Sequence, residues 1–368
     1  MRITLTIPSL GCGGAERVMC WLAGSLARRG HEVTLLAVRS VPVFYKIDPA
    51  VKVSRGRIDT PEEAGGAARA LNFARRVLWL RREISAAKPD VIVGFEDVAN
   101  VLMLCATTGS RTPVVLNEQV NPMQHFVPSV YVKLRKLLYP RAAALVMLTS
   151  DQVDWAASIV GKDKVRIIPS PASVPEGGGP EPDFFEPGRK HIIAVGRLNP
   201  QKGFDMLLEA FSKVSGGRPD WRLVILGEGS LRGEIENGVK RLGLAGRVVL
   251  PGVVGNVAAA HRRSEFFVLS SRYEGFPNAL AEAMACGLPA VSFDCPSGPA
   301  DIVRDGVDGV LVPPGDTAAL AAAMARLMDS PRERERMSRN AAGITERFGG
   351  ERVFAMWEAV INEAAGGK

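Results

Sequence analysis

The chain has 368 residues, of which 46% are hydrophobic and 23% charged, with a formal net charge of +7; this length and composition predict a folded protein of two ordinary domains. Its five cysteines form no C-x-x-C pair and its four histidines show no ligand spacing, which argues against a zinc site or a disulfide framework. No apolar run approaches the ~20 residues of a membrane-spanning helix, and residues 1–7 are typical of a first strand, not of a signal peptide.

The positive charge lies mainly in the first half of the chain. Residues 1–180 carry 23 Lys and Arg against 15 Asp and Glu, whereas the remainder carries 23 against 24. Solubility alone does not require such an asymmetry. It indicates that the first half meets an anionic surface or substrate.

Strand and helix patterns alternate along the first half. Strands are predicted at 3–7, 33–38, 91–94, 114–116, 144–148 and 165–168. Helices are predicted at 14–28, 67–87, 98–106, 130–139 and 152–160. Strands separated by helices predict a parallel sheet that is covered on both faces.

A Pro- and Gly-rich segment at 169–182 ends this alternation and predicts a linker, which we extend over 171–190. The alternation then restarts. Strands are predicted at 192–195, 222–226, 248–250, 266–269 and 290–292, and helices at 203–214, 231–242, 318–329 and after Pro277. The chain is therefore predicted to hold two doubly wound α/β domains, at 1–170 and 191–350.

The stretch 265–287 carries the most specific chemistry. A short apolar strand leads into a Gly/Pro turn and then into a run of helix formers that ends at Gly287. Such a turn points free backbone N–H groups and the positive end of a helix outward, which favours an anion. Two carboxylates, Glu274 and Glu282, stand in the same place. A pocket with N–H groups for phosphates and carboxylates for hydroxyls suits a sugar nucleotide.

Five motifs, in order, resemble those of the family 4 retaining glycosyltransferases with the GT-B fold. They are GCGGAER at 11–17, GRLNPQKG at 196–203, LGEG at 226–229, the paired-glutamate motif within 270–287, and DGVDGVLVP at 305–313. The resemblance covers nearly the whole chain. It implies an α/β GT-B architecture in which two Rossmann-like domains face each other across a cleft. The first would bind the acceptor and the second the donor, with a last helix, 351–366, packing back on the first domain.

Arg197 and Lys202 match the family's diphosphate-binding pair, and the resemblance implies a catalytic role for both. A guanidinium fork and an ammonium can stabilise the charge that forms when a nucleoside diphosphate departs. The chain has no D-x-D sequence, so we expect no metal to hold the diphosphate and no cofactor beyond the nucleotide sugar.

The two glutamates are expected to bind different parts of the donor. The resemblance implies that Glu282 binds the ribose hydroxyls, and that Glu274 contacts the donor sugar or stabilises the developing oxocarbenium ion. We expect the phosphates to meet backbone N–H groups near Gly275, Phe276 and Asn278. Base recognition is expected from the backbone near Gly252, which leaves UDP and GDP undistinguished by side chains.

Three residues of the first half complete the predicted site. Gly14 opens the first helix, and the resemblance places its loop opposite the diphosphate. Glu118 and Gln119 follow a strand, where many relatives carry a histidine that bonds the donor sugar; we assign both to acceptor binding. Retention in this family needs no protein base. Activity is therefore still possible with Gln119 in place of the usual histidine.

Two basic amphipathic helices predict contact with anionic lipid. In the first, Arg75, Trp79 and Arg82 share one face and Arg76 flanks it. In the second, at 126–141, apolar and basic side chains are interleaved. The basic residues of the second helix are Lys133, Arg135, Lys136 and Arg141. The alternative is that these are ordinary solvated faces over a core stripe.

The first half also resembles transferases that extend polyprenyl-diphosphate-linked glycans for bacterial protein N-glycosylation, by FYKIDPAVKV at 44–53 and the basic helix. This implies transfer of a hexosamine, GalNAc, from a UDP-sugar at the inner membrane face, with Arg75, Arg76 and Arg82 near the lipid diphosphate. The alternatives are a GDP-mannose or UDP-glucose/galactose transferase of exopolysaccharide or lipopolysaccharide assembly, a UDP-GlcNAc 2-epimerase-like enzyme, and a non-catalytic nucleotide-binding scaffold.

Overall fold

The computed structural model describes residues 1–58, 65–124, 127–175 and 179–366. Contacts divide the chain into two compact units, Met1–Ser170 with Glu351–Lys368, and Pro171–Gly350. We call them unit 1 and unit 2. Residue 126 of the second predicted basic helix and residues 176–178 of the predicted linker lie outside the described residues.

Residues 1–170 alternate strand and helix, as the sequence pattern predicts. The strands are β1 Arg2–Ile7, β2 Glu32–Ala37, β3 Lys52–Arg55, β4 Val91–Phe95, β5 Val114–Asn117, β6 Ala144–Met147 and β7 Val165–Ile167. The α-helices are α1 Gly14–Arg28, α2 Gly66–Ala87, α3 Asp97–Ala106, α4 Ser129–Leu138 and α5 Val153–Val160. Single turns of 3-10 helix cover Tyr139–Arg141, Ser150–Gln152 and Lys162–Lys164.

Residues 171–366 repeat the alternation. The strands are β8 Lys190–Val195, β9 Trp221–Leu226, β10 Val248–Gly252, β11 Phe266–Leu269, β12 Ala290–Phe293 and β13 Gly309–Val312. The first helices are the 3-10 turn Pro200–Lys202, α6 Phe204–Ser215, α7 Arg232–Arg241, α8 Val257–Arg262, α9 Asn278–Ala285 and α10 Pro299–Ile302. The last four are α11 Thr317–Asp329, α12 Pro331–Ala341, α13 Ile344–Phe348 and α14 Gly350–Ala364.

The described strands of unit 1 form a parallel sheet in the order β3-β2-β1-β4-β5-β6-β7. Because helices cover both faces, the central strands are almost continuously apolar. The terminal helix α14 completes the core of this unit. Its Trp357 is buried and stacks on Phe95 at a ring separation of 5.5 Å.

The described strands of unit 2 form a second parallel sheet, in the order β10-β9-β8-β11-β12-β13. The order reverses between β8 and β11, which are neighbours in the sheet but distant in the chain. Doubly wound sheets bind their ligands at the carboxyl ends of the strands beside such a reversal. The loops that follow β8 and β11 therefore define where a site is expected in this unit.

Several elements were not predicted from the sequence. The edge strand β3 is largely exposed and lacks an apolar run, and β13 lies within a Gly-rich motif. The helix α12 is mostly polar and contributes Met337 to the core of unit 2. Part of the predicted linker packs on unit 2, where Phe185 is buried with its ring 4.8 Å from that of His191.

Candidate functional site

The loops after β8 and β11 bring together Lys202 and Glu274, two of the three residues predicted to be catalytic. Lys202 Nζ donates to Glu274 Oε1 at 2.7 Å, and both side chains are largely removed from solvent. Ser271 Oγ donates to the same oxygen at 2.5 Å. Residues 72 apart in the chain thus meet because their strands are neighbours in the sheet.

The backbones of these two loops are cross-linked. Ser270 Oγ donates to the Lys202 carbonyl at 2.9 Å, and the N–H of Arg272 donates to the Gln201 carbonyl at 2.8 Å. Gly203 has φ of +61°, and a Cβ at this position would lie well inside van der Waals contact with the Ser270 carbonyl oxygen. Only glycine satisfies both the left-handed conformation and this approach.

Arg197, the third predicted catalytic residue, follows Gly196 at the end of β8. The Lys202 side chain covers Gly196, since a Cβ there would lie 3.1 Å from Lys202 Cγ. Arg197 itself is exposed and forms no ion pair with another described residue. Arg197 therefore follows the same strand as Lys202, and the hydrogen-bonding capacity of its guanidinium is available to a ligand.

The turn before α9 carries the three residues whose N–H groups are predicted to meet the phosphates. The N–H groups of Gly275 and Phe276 make no hydrogen bond to any described residue. The N–H of Asn278, however, donates to the Phe276 carbonyl at 2.8 Å, because the turn at Pro277 closes on itself. The Asn278 side-chain Oδ1 is buried and has no hydrogen-bond partner among the described residues.

The remaining predicted donor residues of unit 2 lie on the same elements. Glu282 is half-buried in the second turn of α9. Gly252 ends β10 with φ of +86°, and its carbonyl accepts from the N–H of Gly227 at 2.8 Å. Since Gly227 follows β9, this bond places Gly252 at the carboxyl edge of the sheet.

In unit 1, Gly14 begins α1 after the loop that follows β1. Glu16, in the first turn of that helix, accepts from Ser9 Oγ at 3.1 Å. A Cβ at Gly13 would collide with the Glu16 carboxylate. The glycine before the helix thus makes room for a local hydrogen bond between side chains.

Glu118 is buried, with 3% of its surface exposed, and its carboxylate accepts from the Tyr139 hydroxyl. Arg135 Nε lies 3.9 Å from the same oxygen, and Arg135 Nη2 donates to Asp97 at 3.2 Å. Burial raises the pKa of Glu118 to about 7, although Arg135 opposes the shift, and burial raises the pKa of Tyr139 well above its usual range. Gln119 is also buried and donates to the Asn117 side chain.

These contacts correct one prediction and locate residues that sequence reasoning missed. Arg135 was expected on the lipid-facing surface of the second basic helix, but it is buried, 5.4 Å from the Trp155 ring centroid. Its partners Tyr139 and Asp97 were not recognised. No local pattern distinguishes a buried arginine from its exposed neighbours Lys133 and Lys136; only the packing of α4 against α3 does.

The predicted arginines of α2 divide into two groups. Arg75 and Arg82 are exposed, whereas Arg76 Nε donates to the Ile58 carbonyl at 2.9 Å. Of these three arginines, Arg75 and Arg82 are therefore the solvent-exposed ones. None of the helices among the described residues combines the length and apolar character that a bilayer-spanning segment requires.

Comparison with known proteins identifies the class to which this fold and this site belong. Residues 13–171 match the glycosyl transferase 4-like domain, and residues 181–343 match the glycosyl transferases of group 1. The chain is a glycosyltransferase of this group 1, GT4-like family, with the GT-B fold.

Among individual proteins, the chain is 28% identical over 99% of both sequences to an N-acetyl-D-galactosaminyltransferase of Campylobacter jejuni, named for a GalNAc-bearing diNAcBac-PP-undecaprenol acceptor. Sucrose-phosphate synthase from Thermosynechococcus elongatus has a similar structure, with a TM-score of 0.84, 18% identity and 98% of each chain covered. HepE of Anabaena, determined with UDP and glucose, aligns with a TM-score of 0.79, 18% identity, and 98% and 99% coverage.

The buried Glu118 makes stability depend on pH. Between pH 4.5 and about 7 the folded chain keeps a proton on Glu118 that the unfolded chain releases, so this residue lowers the free energy of unfolding as the pH rises. We expect Glu118→Gln to remove this contribution, giving a shallower fall across the window. Urea unfolding at several pH values measures it, with exposed Glu346→Gln as the control. Equal pH slopes for wild type and Glu118→Gln would contradict the assignment.

A substitution at Gly203 tests the contact between the loops that follow β8 and β11. Gly246 is the matched control, because it has φ of +71° but a Cβ at this position would meet no atom within 4 Å. Left-handed backbone should cost either alanine variant about 1–2 kcal/mol. Gly203→Ala should lose about 1–3 kcal/mol more, through the clash with Ser270. Denaturant titration of both variants measures these losses in the free energy of unfolding. Equal losses would mean that the two loops can move apart at little cost.

Proposed function

We propose that this glycosyltransferase moves GalNAc from UDP-GalNAc, with retention and without a metal, to an undecaprenyl-diphosphate-linked glycan. The observation that carries the proposal is the end-to-end similarity to the Campylobacter enzyme, whose name specifies both the transferred sugar and a polyprenyl-linked acceptor. The geometry of unit 2 supports the donor half of the reaction. The exposed helices of unit 1 support the acceptor half.

The diphosphate is the leaving group, and its charge is the main electrostatic demand of the reaction. Arg197 offers a guanidinium with no competing ion pair among the described residues. Lys202 adds a second cation at the same sheet edge, and Gly275 and Phe276 add N–H groups. Preorganised donors of this kind stabilise charge at the moment it develops, without reorganisation of solvent.

Glu274 contacts Lys202, so a diphosphate bound by Arg197 and Lys202 would bring its sugar close to this carboxylate. A carboxylate there stabilises the positive charge of an oxocarbenium-like transition state. In a retaining reaction of this kind the leaving phosphate oxygen takes the acceptor hydroxyl proton on the same face of the sugar. The chain's own tasks are then to orient donor and acceptor and to balance charge.

The choice of UDP rests on two comparisons, the galactosaminyl transfer named for the Campylobacter enzyme and the UDP of the HepE structure. We assign Glu282 to the ribose, which UDP and GDP share. Asn278 Oδ1, a buried acceptor without a partner among the described residues, would be satisfied by a donor hydroxyl or N–H.

A thermal-shift panel of nucleoside diphosphates tests the donor. UDP at about 100 times its Kd should add about 2.7 kcal/mol to the free energy of unfolding. Arg197→Ala should weaken UDP binding roughly 10- to 100-fold, the loss expected for hydrogen bonds between charged groups. The exposed Arg241→Ala of α7 loses the same charge elsewhere on unit 2 and should bind UDP as wild type does.

The same preparation tests the chemistry. Transfer from UDP-GalNAc should persist in EDTA, and the product anomeric configuration, read by NMR, should match that of the donor. A shift with GDP alone would replace the proposed donor by GDP-mannose. Loss of transfer in EDTA, or an inverted product, would contradict the metal-free retaining mechanism.

The acceptor half of the proposal rests on an exposed face that mixes leucine and arginine. On α2, Leu71, Arg75, Leu78 and Arg82 recur at spacings of four, three and four, and all four are exposed. On α4, Val130 and Leu137 are exposed, Leu137 to 70%. We call these six residues the α2–α4 face; Phe73 and Tyr131 connect the two helices with ring centroids 6.1 Å apart.

Such a face suits the interface of an anionic bilayer, because the leucines can enter the acyl boundary while the arginines meet lipid phosphates. The stripe could not face the core, since α2 buries only Leu80 and Ile84. We therefore propose peripheral attachment to the inner face of the cell membrane, where a polyprenyl-diphosphate acceptor is anchored.

Liposome flotation tests this attachment. Because each basic residue near an anionic surface contributes about 1 kcal/mol, Arg75→Ala with Arg82→Ala should lower binding roughly 30-fold at low salt. Leu78→Gln should weaken binding and leave its salt dependence unchanged. The double variant Lys240→Ala/Arg241→Ala, which removes the same charge from α7, is the control. Unchanged binding by the Arg75/Arg82 variant, or an equal loss of binding in the control, would refute attachment through the α2–α4 face.

A further inference from the structure

The contacts of Glu274 are unequally shared between its two oxygens. Oε1 accepts from both Lys202 Nζ at 2.7 Å and Ser271 Oγ at 2.5 Å. No hydrogen bond from another described residue reaches Oε2. The carboxylate is therefore held by one oxygen, and the other is left for a ligand. A carboxylate bound in this way has one orientation, whereas an ammonium alone would allow it to rotate.

Ser271 is itself firmly placed. It lies just beyond the end of β11 and is 1% exposed, and its neighbour Ser270 bonds the Lys202 backbone at 2.9 Å. The two consecutive serines thus secure Lys202 at its carbonyl and, through Glu274, at its ammonium. A hydroxyl is suited to this task because it donates to the carboxylate without adding a charge.

The nearby thiol of Cys295 does not compete with Lys202 and Ser271 for the Glu274 carboxylate. Cys295 is buried, and burial raises the pKa of its thiol, as does the neighbouring Glu274 carboxylate. The thiol therefore stays neutral and protonated, and no hydrogen bond from it to Glu274 is present. Ser271 and Lys202 alone, among the described residues, set the direction of the Glu274 carboxylate.

We propose that Ser271 is a positioning residue for the transfer reaction, which turns Glu274 so that Oε2 faces the donor sugar. The inference rests on the proposed function, in which Glu274 meets the sugar, and adds to it the residue that orients the carboxylate. It assigns recognition of the sugar to Oε2 and leaves recognition of the nucleotide to other groups. Loss of Ser271 should therefore affect the sugar and spare UDP.

Ser271→Ala tests this separation, with Ser271→Thr as the variant that keeps the hydroxyl. The control is Ser215→Ala, which removes another buried serine hydroxyl from unit 2, at the end of α6. The readouts are the melting temperature, the Kd values of UDP and UDP-GalNAc by calorimetry, and kcat and KM for transfer.

We expect Ser271→Ala to lower kcat about 10- to 100-fold, the loss typical of a hydrogen bond to a charged group. It should also remove any preference of the protein for UDP-GalNAc over UDP, while the Kd of UDP stays that of wild type. The melting temperature should fall by a few degrees, because the Lys202–Glu274 pair loses one of its compensating hydrogen bonds. Ser271→Thr should recover at least part of the rate, and Ser215→Ala should behave as wild type.

Two results would overturn the positioning role. One is a Ser271→Ala variant with wild-type kcat and sugar preference. The other is an equal fall in the affinities for UDP and for UDP-GalNAc, which would make Ser271 a structural residue only. A wild-type protein that binds UDP but neither binds nor transfers UDP-GalNAc is a different failure, because it removes the proposed donor sugar and with it the role of Glu274.

Discussion

The ion pair between Lys202 and Glu274 is the interaction on which the candidate site depends. Two opposite charges removed from water lose hydration, and only close geometry and further hydrogen bonds compensate. Here the compensation comes from the 2.7 Å contact, from Ser271 and from the cross-linked backbones of the two loops. Because the pair spans the loops after β8 and β11, it also lies at the point where the strand order of unit 2 reverses.

Both units contain a parallel sheet, but they differ in how far their polar groups are already hydrogen-bonded. In unit 2 the polar groups at the carboxyl edge retain unused capacity, namely Arg197, the Gly275 and Phe276 N–H groups and Asn278 Oδ1. In unit 1 Glu118 is buried with Tyr139 and Arg135, and burial raises its pKa. The groups around Glu118 bond mainly to one another, whereas the groups at the sheet edge of unit 2 have capacity left for a ligand.

Much of this arrangement was predictable from the residues. The alternating pattern predicted most strands and helices, and the motifs singled out Arg197, Lys202 and Glu274. The same motifs did not reveal that Lys202 and Glu274 bind each other, or that the Asn278 N–H closes on Phe276. Arg135 was assigned to the surface because its neighbours in the helix are basic, and the burial of its guanidinium beside Trp155 depends on α3 and α5.

Hydrophobic periodicity and turn residues act over a few positions, so the sequence by itself determined most of the element types, the two-domain organisation and the residue types of the predicted donor site. The pairing of Lys202 with one oxygen of Glu274, and the burial of Arg135 and not of the neighbouring lysines of α4, depend on residues tens of positions apart. Only the tertiary structure decided these, because strand order and helix packing bring such residues to within hydrogen-bond distance.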